Sequence, residues 1–424
     1  MKLIFFFFIT VNILFAQIEF DKYFENKTLR IDYFETGNNE TEIFSFDKLI
    51  EEPYWGGSKT NLIDTLGFGL YHVKVLDNKS GSQIYSTSYS TLFAEWQTIA
   101  EAEQTTRSFS GTITIPYPKD SVNIEIYKRN RLNNFIKKFE IAIDPNSYFV
   151  IKDRKKKFDN FRVHYSGDPA EKLDIVFLPE GYTADEIAQF KNDCQEISNS
   201  LFKFSPFKEY ENSINIWGVA APSKESGTDI PGEDVWKNTI MNTKFYTFDT
   251  ERYIMTDDYH AVKDVAANAP YDQIYILVNS DKYGGGAIYN FYSCSVTKDR
   301  STDKIFVHEL GHGLAGLADE YHDPNSSYQN YYPIDIEPWE ANITTLVNFD
   351  SKWKYLLNDN TEVTHVDSTI PQDRLGIYEG GGYVTKGVYR PTVNSIMNTL
   401  KVDYFNEPSL QALIKVIEHY SSGK

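Results

Sequence analysis

Period-two alternation of apolar and polar side chains marks the first third of the chain. Leu29-Arg30-Ile31-Asp32-Tyr33, Tyr71-His72-Val73-Lys74-Val75 and Val122-Asn123-Ile124-Glu125-Ile126 each send every second side chain to one face. That is the pattern of half-buried antiparallel strands. Turn clusters such as Asp77-Asn78-Lys79-Ser80-Gly81 separate them, so residues 17–150 are expected to form an all-β sandwich domain. His72 and His164 read as structural histidines, because no other candidate ligand stands near them at metal spacing. The basic run Arg154–Lys157 and the turn Gly167-Asp168-Pro169 read as a solvated linker over 151–170. The pattern then changes. Leu173–Leu178 and Ile274–Val278 are apolar runs of strand length, and 184–202 reads as a helix. Strands alternating with helices predict an α/β (α+β) domain over 171–424.

The first 16 residues hold one lysine, an apolar stretch from Leu3 to about Phe15 and then Ala16, the layout of a cleaved secretory signal peptide. The expected destination is secreted, periplasmic or extracellular. The run is too short for a convincing membrane span, and no cysteine follows it to take a lipid. A formal charge of -18 excludes nucleic acid as a main partner, since phosphate binding needs a basic face. Two cysteines, Cys194 and Cys294, make no disulfide framework, and whether they pair is open at this level.

The chemistry concentrates in His308-Glu309-Leu310-Gly311-His312. Residues four apart share a helix face, so His308 and His312 can offer two imidazoles to one metal ion. The ion expected from such ligands is zinc, with Glu309 as general base toward a water in the open position. Ser301, Thr302 and Asp303 offer an N-cap, and Gly313 and Gly316 let the helix end. The third ligand is expected at Asp319, with Glu320, His322, Glu337 and Glu340 as alternatives. Downstream, Tyr389-Arg390-Pro391-Thr392-Val393-Asn394-Ser395-Ile396-Met397 resembles the methionine turn of metzincins, which places Met397 beneath the metal. Gly284-Gly285-Gly286 reads as a flexible turn or as a backbone edge that pairs with substrate. Tyr283, Tyr321 and Tyr389 are candidates to stabilise an oxyanion. Asp229, Asp234, Asp257 and Asp258 lie in acidic loops that could take Ca2+, although solvated loops are the simpler reading.

Taken together, Leu178–Thr183, Ser223–Asp229, Val278–Gly285, the segment His308–Tyr321 and Tyr389-Arg390-Pro391 resemble peptidase family M64, the group related to bacterial IgA-cleaving metallopeptidases. The resemblance covers nearly the whole chain after the leader. It implies a metzincin-like zinc endopeptidase with His308, His312 and an acidic residue of the Asp319-Glu320 pair at the metal. Its partners would be protein or peptide substrates, host glycoproteins such as immunoglobulins among them, although family membership alone does not fix a substrate. Two rival readings stand: an exported glycan- or protein-binding protein with a structural metal, and an exported zinc amidase acting on cell-wall peptide. Glu309 argues against the first, because a structural site needs no carboxylate there and fills all four positions with protein ligands.

Overall fold

In the N-terminal part, alternation builds two sheets. The computed structural model describes residues 18–322, 331–358, 361–364 and 369–421, so the expected leader lies outside the described residues. Strands β1 (Phe24–Gly37), β2 (Glu42–Glu52), β3 (Tyr71–Asp77), β4 (Gln83–Tyr89), β5 (Arg107–Pro118), β6 (Val122–Arg129), β7 (Phe135–Ile143) and β8 (Val150–Ile151) follow in order. They assemble as β5-β1-β2-β8 and β4-β3-β6-β7. Leu29, Ile31 and Tyr33 of the first sheet meet Val73, Val75, Ile124 and Ile126 of the second in one apolar core.

Two polar positions in the middle of β1 do not face water. Arg30 and Asp32 are both buried, paired at 2.7 Å, and Arg30 reaches Asp264 at 2.8 Å. The helix Tyr259–Ala266 lies against this outer face, where Ser110 donates to the Asp257 carbonyl. Leu92, Phe93, Trp96 and Phe109 also share a core with Val176, Leu178, Val262 and Ile276. The β domain and the following part are thus fused through apolar packing, and deleting 17–150 would uncover part of one face of the central sheet.

That sheet contains β9 (Asn160–His164), β10 (Leu173–Glu180), β11 (Ile214–Val219), β12 (Gln273–Val278), β13 (Gly285–Ile288) and β14 (Tyr292–Val296). Their order is β13-β14-β12-β10-β11-β9. Strands β14, β12, β10 and β11 run parallel, and β13 and β9 are antiparallel edges. Strand β9 falls inside the stretch expected as linker. It is a half-covered edge strand with two of its five residues exposed, which is why it carries no apolar run.

The parallel strands are covered on both faces, so every residue in them is buried and most are apolar. Ile175, Phe177, Tyr275 and Leu277 pack under the helices Ile187–Leu201, Thr302–Ala315 and Glu407–Ser421. Their alternates Val176, Leu178, Ile274 and Ile276 face the helix Tyr259–Ala266 and the N-terminal part. Cys194 and Cys294 sit in these two different cores and are free thiols, which settles the pairing question. A hairpin of β15 (Tyr378–Gly381) and β16 (Val384–Arg390) follows. The molecule is therefore a mixed α/β protein with an N-terminal β domain. Among the described residues, no helix is long and apolar enough to cross a membrane.

Candidate metal centre and cleft

The helix Thr302–Ala315 buries Ile305, Phe306, Leu310 and Leu314 against the sheet. Its opposite side presents His308, Glu309 and His312, all partly exposed, to a cleft of about 1110 Å³. The helix ends at Gly316, whose left-handed φ of 59° suits glycine. A Cβ there would also stand 2.5 Å from the Trp339 ring. After this turn, Asn342 clamps Ala318 by accepting from its N–H and donating to its carbonyl, both at 2.8 Å. The chain is held so that Asp319 and Glu320 point in different directions.

Asp319 points at the histidines. Its Oδ1 lies 3.3 Å from His308 Nε2 and 3.4 Å from His312 Nε2, while the two Nε2 atoms are 3.1 Å apart. Each imidazole uses its other nitrogen on a backbone carbonyl, His308 Nδ1 at 2.9 Å from Ile396 O and His312 Nδ1 against Leu317 O. In the neutral rings both Nδ1 atoms therefore carry the hydrogen, and both Nε2 atoms present lone pairs. The short Nε2 contact is then an approach of two acceptors, not a hydrogen bond. Asp319 Oδ1 is buried without a hydrogen-bond donor, and Oδ2 accepts from Tyr383 OH at 2.7 Å.

Three acceptors converging without a donor call for a cation. A tetrahedral ion with bonds of about 2.0–2.1 Å needs ligand atoms about 3.3–3.4 Å apart, close to the spacing here. Without an ion, burial works against a charge on His312, yet the neighbouring Asp319 outweighs it and pushes the imidazole up to about 9, so near neutral pH a proton on its Nε2 holds the place that a bound cation would take. Burial would raise Asp319, but His312 and His308 hold its carboxyl well below the usual carboxylate range. Burial moves Glu309 the other way, upward. Its carboxylate lies beside the histidine nitrogens, all within 4.8 Å of one another. Gly285 of β13 makes that room, since a Cβ there would stand 2.6 Å from Glu309 Oε1.

Glu320 points into the protein. Its Oε1 accepts from Asn342 and Asn406 at 2.9 and 2.7 Å, and its Oε2 from Ser395 at 2.7 Å. Its N–H donates to Met397 O, which ties the segment to the turn Ser395-Ile396-Met397. Met397 is buried beneath the helix, its Sδ 3.0 Å from where a Cβ on Gly311 would be. His322 is exposed, and Glu337 and Glu340 bond Asn348 and Tyr332.

Of the tyrosines, Tyr283 and Tyr321 line the cleft. Tyr389 does not; its backbone pairs with Thr344 on the hairpin. The outer edge of β13 at Gly285 is taken within the chain, because Gly285 N donates to Arg252 O at 3.1 Å and Ile254 N to Gly285 O at 3.0 Å. The glycine run is thus an edge strand whose pairing position at Gly285 is filled. The acidic loops do not gather for Ca2+ either. Asp257 pairs with Lys244 and Arg107, Asp258 caps the helix Tyr259–Ala266, and Asp229 accepts from Lys237 N. Sequence reasoning missed Tyr383 and Arg252, which carry no local motif in a chain with 30 tyrosines.

The family model described as IgA Peptidase M64 matches residues 161–368 and 365–417, and the one described as Peptidase M64 N-terminus matches 19–140. No curated protein matches the chain.

Proposed function

The chain belongs to the M64 peptidase family, and from that premise we propose that it is an exported zinc-dependent endopeptidase with a metzincin-like catalytic domain. The observation that carries the reading is the convergence of His308 Nε2, His312 Nε2 and Asp319 Oδ1 at 3.1–3.4 Å, donor-free, on the floor of a cleft. Two imidazoles, one carboxylate and a fourth position toward the cleft suit zinc. Zinc held there would supply Lewis acidity, which makes water acidic near neutral pH and polarises a carbonyl. Glu309, its carboxyl raised by burial, accepts the proton of the attacking water and returns it to the leaving amine. Tyr383 and the carbonyls of Ile396 and Leu317 orient the three ligands. The turn through Met397 supports the helix from below, in the manner of a methionine turn.

Export rests on the leader, residues 1–16, and directs the enzyme to extracellular proteins. The family description names IgA, so immunoglobulin belongs in the substrate panel. The open fourth position and the adjacent Glu309 favour catalysis over a purely structural metal. The test is metal analysis of the purified chain with cleavage of an unfolded protein, before and after chelation. One zinc per chain and activity restored by zinc are expected. A fully loaded chain that cleaves no unfolded protein, or a chain with no tightly held transition metal, would overturn the proposal.

A further inference from the structure

One cation beside the site feels the charges of Asp319 and Glu309 but forms no direct ion pair among the described residues. Arg252 is exposed on the cleft, on the segment that pairs with Gly285 of β13. That pairing fixes its backbone one strand position from the glycine that packs against Glu309. Its Nη2 donates to Tyr321 OH at 3.0 Å, and its guanidinium lies 5.5 Å from the Tyr321 ring centre. Tyr283, 44% exposed, lines the same part of the cleft.

Acidic side chains outnumber basic ones, 60 to 42. Of the two arginines that line the cleft, Arg131 reaches Asp335 and Arg252 pairs with no carboxylate among the described residues. No ion pair among the described residues includes Arg252, which lines the cleft and spends one guanidinium donor on Tyr321. A planar guanidinium with free donors is built to take a carboxylate on two parallel hydrogen bonds. The filled edge at Gly285 leaves a peptide no free backbone group to pair with at that position.

We propose that Arg252 is a specificity residue that takes a carboxylate of the substrate beside the scissile bond. The proposal rests on the peptidase reading. That carboxylate comes from an acidic side chain or from the substrate's own C-terminus, and both use the same two hydrogen bonds.

The test uses the zinc-loaded chain and a set of fluorogenic peptides. They differ by Glu, Gln or Lys at each position flanking the cleaved bond, with the C-terminus free or amidated. For the parent, the carboxylate-bearing peptide is expected to exceed its neutral counterpart by about tenfold or more in kcat/KM, mostly through KM, as suits a charge-assisted pair. With Arg252→Gln the ratio falls to about one. With Arg252→Glu it inverts toward lysine, and Arg252→Lys keeps part of it; unchanged zinc content separates these results from misfolding. A preference abolished by amidation assigns the carboxylate to the chain terminus, and one that follows Glu assigns it to a side chain. A parent indifferent to all these changes overturns the inference while leaving the peptidase standing. So does an Arg252→Gln that lowers kcat equally on every peptide, since that assigns Arg252 to the transition state. A parent that cleaves none of the peptides and no unfolded protein overturns the peptidase reading and this inference with it.

Discussion

Asp319 and Glu320 are neighbours in sequence with equally buried carboxylates, and the protein treats them as opposites. Around Glu320, both oxygens are answered by neutral donors from Asn342, Asn406 and Ser395, so the group is satisfied without any ion. Around Asp319, one oxygen takes Tyr383 and the other faces two imidazole lone pairs. The first neighbourhood is a structural clasp that holds the turn at Met397. The second is a charge deficit that a bound cation would fill. Burial alone does not separate structure from chemistry here; the count of donors against acceptors does.

The comparison breaks most visibly at Asp319. Asp319→Ala should lose tight metal binding and drop peptide cleavage to background, while Glu320→Ala should keep the metal in whatever fraction folds. Zinc stoichiometry on the folded fractions reads this, and the reverse pattern would exchange the two roles. Next in size is Glu309→Gln, which leaves the acceptors intact. Metal should stay near one per chain while kcat falls about a hundredfold to ten-thousandfold, the cost of losing a general base. A variant that turns over like the parent would remove Glu309 from the chemistry. Third is stability. Glu320→Ala strands three buried donors and should cost about 2 to 4 kcal/mol in denaturant unfolding of the metal-free chain. Tyr383→Phe is smaller. It removes an orienting hydrogen bond to Asp319, so zinc affinity should fall about tenfold to a hundredfold by competition with a chelator, with little change in melting of the metal-free chain.

The legible part of this site was the local part. His308 and His312 could be placed on one face because helical spacing is a property of five consecutive residues. Strands β1, β3, β6, β10 and β12 were legible for the same reason, from alternation or unbroken apolar runs. The choice between Asp319 and Glu320 was not, because it depends on the left-handed Gly316 and on Asn342, which clamps Ala318 from 24 residues away. Tyr383 reaches Asp319 across 64 residues, and Arg252 reaches Tyr321 across 69. Nor could alternation in β1 reveal that Arg30 and Asp32 face another part of the protein, since a polar position reads alike whether water or a buried ion pair meets it.

A third buried carboxyl sharpens the contrast at the smallest scale. Asp174 at the start of β10 accepts from Trp217 and Asn215 on Oδ1, while its Oδ2 is buried with no partner. It has neither the full donor set of Glu320 nor the cationic surroundings of Asp319. Burial is the dominant cause of its shift, and it pushes the carboxyl up to about 7 from 3.8. The folded state therefore keeps a proton on Asp174 at pH values where the unfolded chain has released it. Between those two values the native state binds more protons, so unfolding free energy falls as pH rises. The stabilisation is complete below about pH 4 and gone above about pH 7. Asp174→Asn keeps the shape and cannot ionise, so its melting temperature should lose part of the decline between pH 5 and 8 that the parent shows. Asp272, raised by burial and by Asp174, retains the remainder. Parallel melting curves of metal-free parent and Asp174→Asn across that range decide it. Identical slopes would mean that Asp174 is charged in the fold and that an unseen donor reaches its Oδ2.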